Sequence, residues 1–443
     1  MTTILTGHLT EADHKGHIAI RFAVPEGTTR LVGRFMASPK RCEGAFFDNL
    51  ISLSIFGPDG SRGQRHNNPV WDFQIEAGFA TPGYLPGPIE AGEWSVVMDT
   101  FRVLGRVEWR LEIECETGPV AERAAFVPAV TAARGLGWYR GDLHAHTLHS
   151  DGSWDIPDLV GWARARKLDF MTLTDHNTPS GHAEVMALGD DALLMMGGVE
   201  LTTHYGHALT LGRRDWQEWR VGPVTGRQMP DIAEEVMGKG ALFVIAHPMS
   251  PGDPSCTGCR WEYEDMRPGP AQIVEIWNGG PWSDYNEDGL ALYRTWLGQG
   301  HRLRATAGTD IHGPEGGMGR LGFNHVQADD LTEAAILAAV AVGRNYLSSG
   351  PKLVLTAVQA DGDVVAMGGE AGAGAAVLVD WATEDEGLDL VIHDARGEVF
   401  RQSVAAGASG QLEPGVVPQG FVMAELRGQD GLLHAVTNPI FIV

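Results

Sequence analysis

The sequence is short of three kinds of feature, and each shortage excludes a class of protein. Its 443 residues include only 33 Lys and Arg against 57 Asp and Glu, a formal charge of −24, so the clustered positive charge that binds nucleic-acid phosphates is missing. The 4 cysteines are too few to stabilise so long a chain through disulfides. No apolar run approaches the roughly 18 residues of a membrane-spanning helix. We expect a folded, soluble protein with no membrane partner and no nucleic-acid scaffold role.

Two further signals are missing. The first 17 residues show neither a basic start followed by an apolar run nor a small-residue cleavage site, so we expect no signal peptide and a cytoplasmic location. The sequence also lacks the Gly-X-Ser-X-Gly motif that marks a serine nucleophile. The partner we expect is a small-molecule substrate, and assembly into a homo-oligomer is left open.

Both ends of the chain have the pattern of β structure. Up to about residue 130, short segments are separated by turn signals, and residues 110–114 alternate polar and apolar side chains as a half-buried antiparallel strand does. The pattern returns from about Pro351, with Asp-Gly and Arg-Gly pairs where hairpins would turn. These patterns predict β-sandwich domains at 1–135 and 351–443, flanking a central domain at 136–350.

The central segment alternates compact apolar runs with amphipathic stretches of helical length. A helix is predicted at 156–168, with Asp155 as its N-cap and Pro157 in its first turn, and another at about 288–298. Apolar runs that alternate with helices indicate parallel strands joined by crossovers. Six or seven such units in about 210 residues favour an α/β fold with a closed or distorted barrel over an open sheet.

Histidines concentrate in this central segment, where 11 of the 17 lie between His144 and His325. Six of them, with three carboxylates, lie at ends of predicted strands, and the carboxyl ends of barrel strands are where active sites are built. His144 and His146 are two apart in one strand, so both imidazoles can face one cation. The nine candidate metal ligands are His144, His146, Asp151, His176, Glu200, His207, His247, Asp310 and His312.

Two interpretations of these nine residues compete. A single histidine at a strand end is more often a hydrogen-bonded loop residue than a metal ligand. Recurrence in one strand unit after another favours a metal centre instead. Nitrogen and oxygen donors without thiolate suit Zn, Mn or Fe at two or three closely spaced sites, where Glu200 or Asp310 would be a natural bridge. We therefore predict a multinuclear site for divalent transition metals.

Five motifs carry a resemblance to a known family. DLHAHTLHSDG, LTDHN, GVELT, AHP and GTDIH, in this order within about residues 138–350, resemble the motifs of the PHP (polymerase and histidinol phosphatase) family of metal-dependent phosphoesterases. The wider layout, with β segments before WYRGDLHAHT and after GRNYLSSGPKL, resembles the CehA/McbA branch, which is named for carbaryl hydrolases. The resemblance implies a distorted (β/α)7 barrel with a two- or three-metal centre.

The resemblance also implies how the ligands are shared. One metal would be held by His144, His146, Glu200 and Asp310, a second by Glu200 as a bridge with His247 and His207, and a third by Asp151, His176 and His312. The residue that protonates the leaving group is left open among His149, Asp175 and His204.

Other residues near the predicted strand ends each have two interpretations. Arginines that follow site-facing strands are mostly solvated, but one or two would form the fork that grips a substrate oxyanion; the candidates are Arg213, Arg220 and Arg260. Cys256 and Cys259 are half of a zinc site or, as we favour, two loop thiols or a local disulfide. The carboxylate of Glu275 either reaches the metals or hydrogen bonds to a ligand from behind.

The predicted activity is hydrolysis by a metal-activated water, which needs no protein nucleophile. The family favours a phosphoesterase acting on a small phosphomonoester or phosphodiester, whereas the branch permits a carbamate or an aryl ester. Site arginines would favour phosphate, and an apolar pocket would favour an aromatic ester unless its tryptophans belong to the core; these are Trp154, Trp261, Trp277 and Trp282. A non-catalytic, metal-stabilised binding module is the third interpretation. We expect the flanking β domains to shape access to the pocket rather than to supply metal ligands.

Overall fold

The structure, a computed structural model, describes residues 1–120, 122–280, 282–315, 319–416 and 419–443. The chain is a mixed α/β protein in which strands far outnumber helices. None of the helices in these ranges has the length and the apolar character needed to cross a membrane.

The strands of residues 1–120 form two antiparallel sheets around one core. They are β1 (Thr2–Leu9), β2 (Gly16–Val24), β3 (Arg30–Ser38), β4 (Leu50–Gly57), β5 (Gly60–Arg65), β6 (Phe73–Glu76), β7 (Gly92–Arg102) and β8 (Val107–Glu116). The strand orders are β1-β8-β3-β6 and β2-β7-β4-β5. The predicted alternation is confirmed in β8, where Leu111 and Ile113 are buried between half-buried polar neighbours. Leu31 of one sheet and Leu53 of the other belong to the same apolar cluster, so the sheets pack against each other. We call this part the N-terminal unit.

The central segment contains strands and helices in alternation. Its strands are β9 (Gly137–Asp142), β10 (Phe170–Leu173), β11 (Leu194–Thr202), β12 (His207–Leu211), β13 (Leu242–Ile245), β14 (Ile273–Asn278), β15 (Arg304–Gly308), β16 (Phe323–Ala328) and β17 (Asn345–Ser348). Its helices are α1 (Ile156–Ala165), α2 (His182–Ala187), α3 (Met229–Gly238), α4 (Asp284–Gly298) and α5 (Glu333–Val342). The strand order is β15-β14-β13-β12-β11-β10-β9-β16-β17.

The direction of the strands departs in part from the prediction of parallel strands. β9, β10 and β11 are parallel, as are β13, β14 and β15, but β12 is antiparallel to both of its neighbours. The reason is the connection from β11 to β12, which has room for a tight turn and none for a crossover helix. In this arrangement His207 at the start of β12 pairs with Thr202 at the end of β11.

The two predicted helices are present with shifted ends. Asp155 caps α1 by accepting a hydrogen bond from the backbone of Asp158 at 2.9 Å, as predicted. The helix ends before 168 because Lys167 has a left-handed backbone, with φ of 56°. The predicted helix at 288–298 begins one turn earlier, at Asp284, directly after the extended residue Ser283.

The two ends of the central sheet approach each other without a continuous ladder between them. The side chain of Asn324 in β16 donates to the carbonyl of Ala307 in β15 at 2.6 Å and accepts from its amide at 3.1 Å. Beyond β15, the amide of His146 donates to the carbonyl of Ile311 at 2.9 Å, and that of Asp310 to His144 at 2.9 Å. No ladder among the described strands closes the sheet. The closed or distorted (β/α)7 barrel therefore stays a prediction.

The remaining strands continue the central sheet and add a second one. They are β18 (Lys352–Val358), β19 (Val364–Ala366), β20 (Glu370–Ala371), β21 (Ala376–Thr383), β22 (Leu388–Asp394), β23 (Gly397–Val404), β24 (Ala408–Val416), β25 (Gly420–Gly428), β26 (Leu433–Thr437) and β27 (Ile440–Ile442). β26 pairs with β17, so one sheet runs across the expected boundary at 350, while β19-β18-β21-β24 form a separate sheet. This pairing covers β17, which would otherwise be an exposed edge.

Candidate metal centre

The nine predicted ligands meet at one edge of the central sheet. They follow the carboxyl ends of β9, β10, β13 and β15, lie near the end of β11, or stand at the start of the antiparallel β12. All nine side chains are buried or half-buried. Two of them lie where the backbone is left-handed, His247 with φ of 26° and Asp310 with φ of 50°. Strain of this kind is held in place by surrounding structure and concentrates at functional sites.

Glu200 is the hub of the cluster. Its Oε2 lies 3.2 Å from Nε2 of His144, 3.3 Å from Nε2 of His146 and 3.0 Å from Nδ1 of His176. Its Oε1 lies 2.9 Å from Nδ1 of His207 and 3.0 Å from Nε2 of His247. One fully buried carboxylate thus faces five imidazoles from both of its oxygens, which is the placement that a bridging ligand requires.

The two other acidic candidates occupy the flanks of this hub. Oδ1 of Asp310 lies 2.9 Å from Nε2 of His146 and 3.3 Å from Nε2 of His144. Oδ1 of Asp151 lies 3.3 Å from Nε2 of His176 and 3.2 Å from Nε2 of His312. The structure therefore brings together all nine side chains that the sequence singled out.

The donor atoms form overlapping groups in which all atoms lie within 4.8 Å of one another. These groups are His144, His146, Glu200 and Asp310; His146, Asp151, His176 and His312; His176, Glu200 and His207; and His144, His247 and Glu275. The first coincides with the set that the family resemblance implies for one metal, and the second contains the set implied for a third. His207 and His247 fall into different groups, but both contact Oε1 of Glu200, and their rings meet edge-on with centroids 5.2 Å apart.

Several donor atoms in the cluster are buried and have no hydrogen-bond partner among the described residues. They are Nε2 of His144, both ring nitrogens of His146, Oδ1 of Asp151, Oε2 of Glu200, Nε2 of His207 and Oδ1 of Asp310. The nitrogens and oxygens lie close together, but their directions are not those of hydrogen bonds. Leaving a buried polar atom unpaired costs about 1–3 kcal/mol. Nitrogen and carboxylate donors that share this defect fit divalent transition metals such as Zn, Mn or Fe.

Charges of opposite sign shape the proton affinities in the cluster. Burial by itself lowers the pKa of His144, but Glu275, Asp310 and Glu200 raise it well above its ordinary value. Burial by itself raises the pKa of Glu200, but the facing histidines hold it well below its ordinary value. The Glu200 carboxylate therefore stays ionised, and a metal must displace a proton from His144. His207 differs, because burial outweighs Glu200 and lowers its pKa to about 4.

Glu275 supports the cluster from behind, one of the two roles considered for it. Its Oε1 lies 2.9 Å from Nδ1 of His144, and its Oε2 accepts from the side chain of Asn278 at 3.0 Å. A carboxylate on Nδ1 fixes the ring so that Nε2 points at the ligand position. Gly308 makes room for this contact, because a Cβ there would lie 2.2 Å from Oε1 of Glu275 and 2.3 Å from Cβ of His144.

The three candidates for the leaving-group acid do not line the cavity above the cluster. Asp175 accepts three hydrogen bonds, two from Thr147 and one from the hydroxyl of Ser150 at 2.6 Å, so it holds the turn that precedes Asp151. Nδ1 of His149 lies 2.7 Å from Oγ of Ser180. His204 stacks on His17 with ring centroids 4.7 Å apart and lines a different cavity.

The three candidate arginines do not line the cavity above the cluster either. The Arg213 side chain is buried and donates to Asp215 at 2.8 Å. Arg220 makes a two-pronged contact with Glu218, at 2.9 and 2.8 Å. Arg260 is exposed and donates to the carbonyl of Ser250 at 3.3 Å. All three guanidinium groups have local acidic or carbonyl partners. Their position in the sequence near a strand end therefore does not bring them to the cluster.

The cavity above the cluster has a volume of about 310 Å³, and its wall includes residues that the sequence did not single out. Four come from the N-terminal unit: Leu50, His66, Asn67 and Arg102. His66 packs on a metal-ligand candidate, with its ring centroid 4.7 Å from that of His176. These residues lie far from every motif in the sequence, and only the packing of the N-terminal unit on the central sheet brings them here.

Another part of the wall is the segment 250–259, where Cys256 and Cys259 form a disulfide. This is one of the two arrangements favoured over half a zinc site. The four tryptophans considered for an apolar pocket do not line the cavity. Trp261, Trp277 and Trp282 are buried in the core beneath the sheet, and Trp154 packs against Trp162.

Comparisons with known proteins add little to this geometry. No family model matches the chain, and no curated protein matches it. One similar solved structure is a two-domain protein from Bacteroides vulgatus ATCC 8482 that contains a predicted PHP-like metal-dependent phosphoesterase; it is 16% identical with a TM-score of 0.40, over 72% of this chain and 99% of that one. Another is an amidohydrolase from Chromobacterium violaceum with bound sulfate and no metal, 20% identical with a TM-score of 0.30, over 39% and 88%. Similarity this low leaves membership of the PHP family, and of its CehA/McbA branch, a prediction.

Proposed function

We propose that the protein is a metal-dependent hydrolase that acts on a small phosphomonoester or phosphodiester. The observation that carries the proposal is the buried hub at Glu200, whose two oxygens lie within 3.3 Å of five imidazole nitrogens. Catalysis would take place in the central domain, residues 136–350, with the flanking units at 1–135 and 351–443 outside the ligand set. The resemblance to the PHP family supports this reading.

The chain's own residues divide the work of holding two or three metals. His144, His146 and Asp310 would take one side of Glu200, His207 and His247 the other, and Asp151, His176 and His312 a neighbouring position. Such metals, when bound, acidify water and neutralise charge that develops on substrate oxygens. Glu275 keeps the Nε2 of His144 free for this task, since it contacts the other ring nitrogen.

The rest of the cavity supports hydrolysis by water rather than by a side-chain nucleophile. Its serines are Ser250 and Ser255, and neither hydroxyl has a hydrogen bond to an imidazole among the described residues. A serine nucleophile needs such a base to remove its proton.

The cavity wall favours a phosphoester over a carbamate or an aryl ester. Leu50 is the one aliphatic side chain in the lining among the described residues, and the other groups are imidazoles, carboxylates, hydroxyls, an amide, a guanidinium and the disulfide. An aromatic leaving group needs an apolar surface to bind. The four tryptophans that would provide one lie elsewhere, so the branch resemblance has no counterpart in the pocket.

A substrate screen tests the proposal. Purified protein of measured metal content is assayed with p-nitrophenyl phosphate, bis-p-nitrophenyl phosphate and an aryl carbamate at matched concentrations. We expect the phosphate esters to be turned over at least tenfold faster than the carbamate. A preference for the carbamate would move the protein to carbaryl-hydrolase-like chemistry, and metal binding without turnover of any substrate would make it a binding module.

A further inference from the structure

We infer that Arg102, from the N-terminal unit, is the residue that anchors an anionic oxygen of the substrate above the metal cluster. The inference rests on the proposed function and deepens it, because it names the group that selects a charged substrate. Arg102 is the last residue of β7, and its side chain lines the same cavity as Asp151, Glu200 and Asp310.

The guanidinium of Arg102 is held in place by carbonyl groups. Its Nε donates to the carbonyl of Asp48 at 2.7 Å, and its Nη1 donates to the carbonyls of Pro254 at 2.6 Å and Ser255 at 3.4 Å. The group also lies over the ring of Phe47, 5.2 Å from the centroid. Contacts from two segments of the chain therefore fix the orientation of the fork before any ligand arrives.

One edge of this fork is left available. Nη2 has no hydrogen bond to another described residue, and it is not among the buried atoms that lack a partner, so it keeps contact with solvent. The residue as a whole is only 9% exposed, and it faces the cavity. A guanidinium with free N–H groups that point at a cavity binds phosphate or carboxylate oxygens.

Arg102 also lacks a carboxylate partner among the described residues, unlike Arg213 and Arg220 of the central segment. No Asp or Glu oxygen of the described residues lies within 4.0 Å of it. The two nearby acids have other partners: Asp253 lies 2.6 Å from Lys15, and Asp48 lies 2.6 Å from Arg41. Asp253 and Asp48 act on the charge of Arg102 from beyond contact distance, and no carboxylate of the described residues touches the guanidinium in its largely buried position. An anionic ligand in the cavity would supply that direct contact.

The charge balance of the centre shows what Arg102 adds. Asp151, Glu200, Asp310 and Glu275 bring four negative charges to the cluster, and two divalent metals would just cancel them. With Arg102 the two-metal site carries a net positive charge, and with three metals the charge is higher still. A positive, partly desolvated site binds an anion better than a neutral ester of the same size.

The test measures anion binding apart from turnover. Wild type, Arg102→Gln and Arg102→Lys are loaded with metal to equal content, and the Kd of inorganic phosphate is measured by titration calorimetry. Loss of a charged hydrogen bond should weaken phosphate binding about 30-fold in Arg102→Gln, with a smaller loss in Arg102→Lys. In the control Arg106→Gln, which changes an exposed arginine of the same unit, phosphate binding should not change.

Two outcomes would overturn the inference. If Arg102 only ties β7 to the segment at 254–255, Arg102→Gln lowers the melting temperature but binds phosphate as tightly as wild type. If Arg102→Gln does not fold, Arg102→Lys decides, and unchanged phosphate binding in that variant rejects the anchor. Failure of the proposed function looks different, because metal-loaded wild type would then neither bind phosphate nor hydrolyse phosphate esters.

Discussion

Two clusters of buried polar side chains in this molecule differ in how far the chain completes their hydrogen bonding. In the N-terminal unit, Asp99 is fully buried, and its oxygens contact Nδ1 of His17 at 2.7 Å, the hydroxyl of Ser54 at 2.5 Å and the amide of Gln64 at 2.6 Å. Glu200 in the central segment is equally buried, yet its Oε2 has no hydrogen bond to another described residue. The first cluster is complete in itself. The second has buried donor atoms that bound cations would complete.

The two clusters are joined by a chain of buried amides. The side chain of Asn177 donates to Oε1 of Gln64 at 2.8 Å and to the carbonyl of Thr202 at 2.9 Å. The Thr202 hydroxyl in turn contacts Nδ1 of His176, a metal-ligand candidate. The N-terminal unit therefore contacts the candidate metal centre through these hydrogen bonds as well as through the cavity wall. The complete cluster is linked in this way to the incomplete one.

The largest difference between the two clusters is expected when Glu200, the hub of the incomplete cluster, is substituted. Glu200→Gln keeps the size of the side chain but removes the bridging charge, so we expect turnover to fall by at least about 10³-fold, or about 4 kcal/mol in the barrier. Metal content, measured by elemental analysis, should fall by at least one equivalent per chain. Glu386→Gln, at an exposed acid, is the control. Turnover above a tenth of wild type would contradict the assignment of Glu200 as the bridging ligand.

A smaller effect, on stability alone, is expected in the complete cluster. Asp99→Ala removes the buried acceptor that His17, Ser54 and Gln64 share, and Nε2 of Gln64 keeps its 3.0 Å contact to the Ser54 hydroxyl, so the free energy of unfolding should fall by about 3 kcal/mol. The measurement is urea unfolding, with Glu26→Ala at an exposed turn as the control. The folded variant should keep its metals. If it loses them, the two clusters are one functional unit, and the contrast between them disappears.

The convergence of the nine candidate ligands could be predicted from the sequence because local rules govern their placement. Alternation in a strand places His144 and His146 on one side, and the ends of neighbouring strands bring Glu200 and Asp310 to the same edge. The pattern does not reveal strand direction, so the antiparallel β12 could be seen only in the structure.

The cavity wall could not be predicted, because long-range packing creates it. Arg102 and His66 lie in strands and turns with no motif, and they reach the cluster only because the N-terminal unit docks on the loops after β9 and β10. Conversely, Asp175 and His149 lie inside motifs, but their side chains hydrogen bond to residues of neighbouring loops. Proximity in sequence to a ligand is a poor guide to which side chains face a substrate.

The smallest expected effect concerns a buried nitrogen that lacks a partner outside the metal centre. Nε2 of His325 has no hydrogen bond to a described residue, and the ring stacks on Tyr346 with centroids 4.6 Å apart. His325 belongs to none of the groups of described residues that could hold a metal ion. Burial and the charge of Arg140 lower its pKa to about 3, so this histidine avoids the cost of an unpaired charge by staying neutral.

That difference gives a pH dependence of known sign. The unfolded chain binds a proton at His325 near pH 6.5 and the folded chain does not, so stability falls as the pH drops from about 6.5 towards 3. Between about pH 6.5 and 5.5 this residue should account for about 1 kcal/mol of the loss. His325→Phe keeps the stacked ring and removes the proton site, so urea unfolding with a chelator present should show a flatter pH profile for the variant. Equal slopes would mean that His325 binds its proton at the same pH in the folded and the unfolded chain. A buried nitrogen without a hydrogen-bond partner would then accept a proton away from Glu200 as well. Unpartnered buried atoms would no longer distinguish the candidate metal centre from the rest of the molecule.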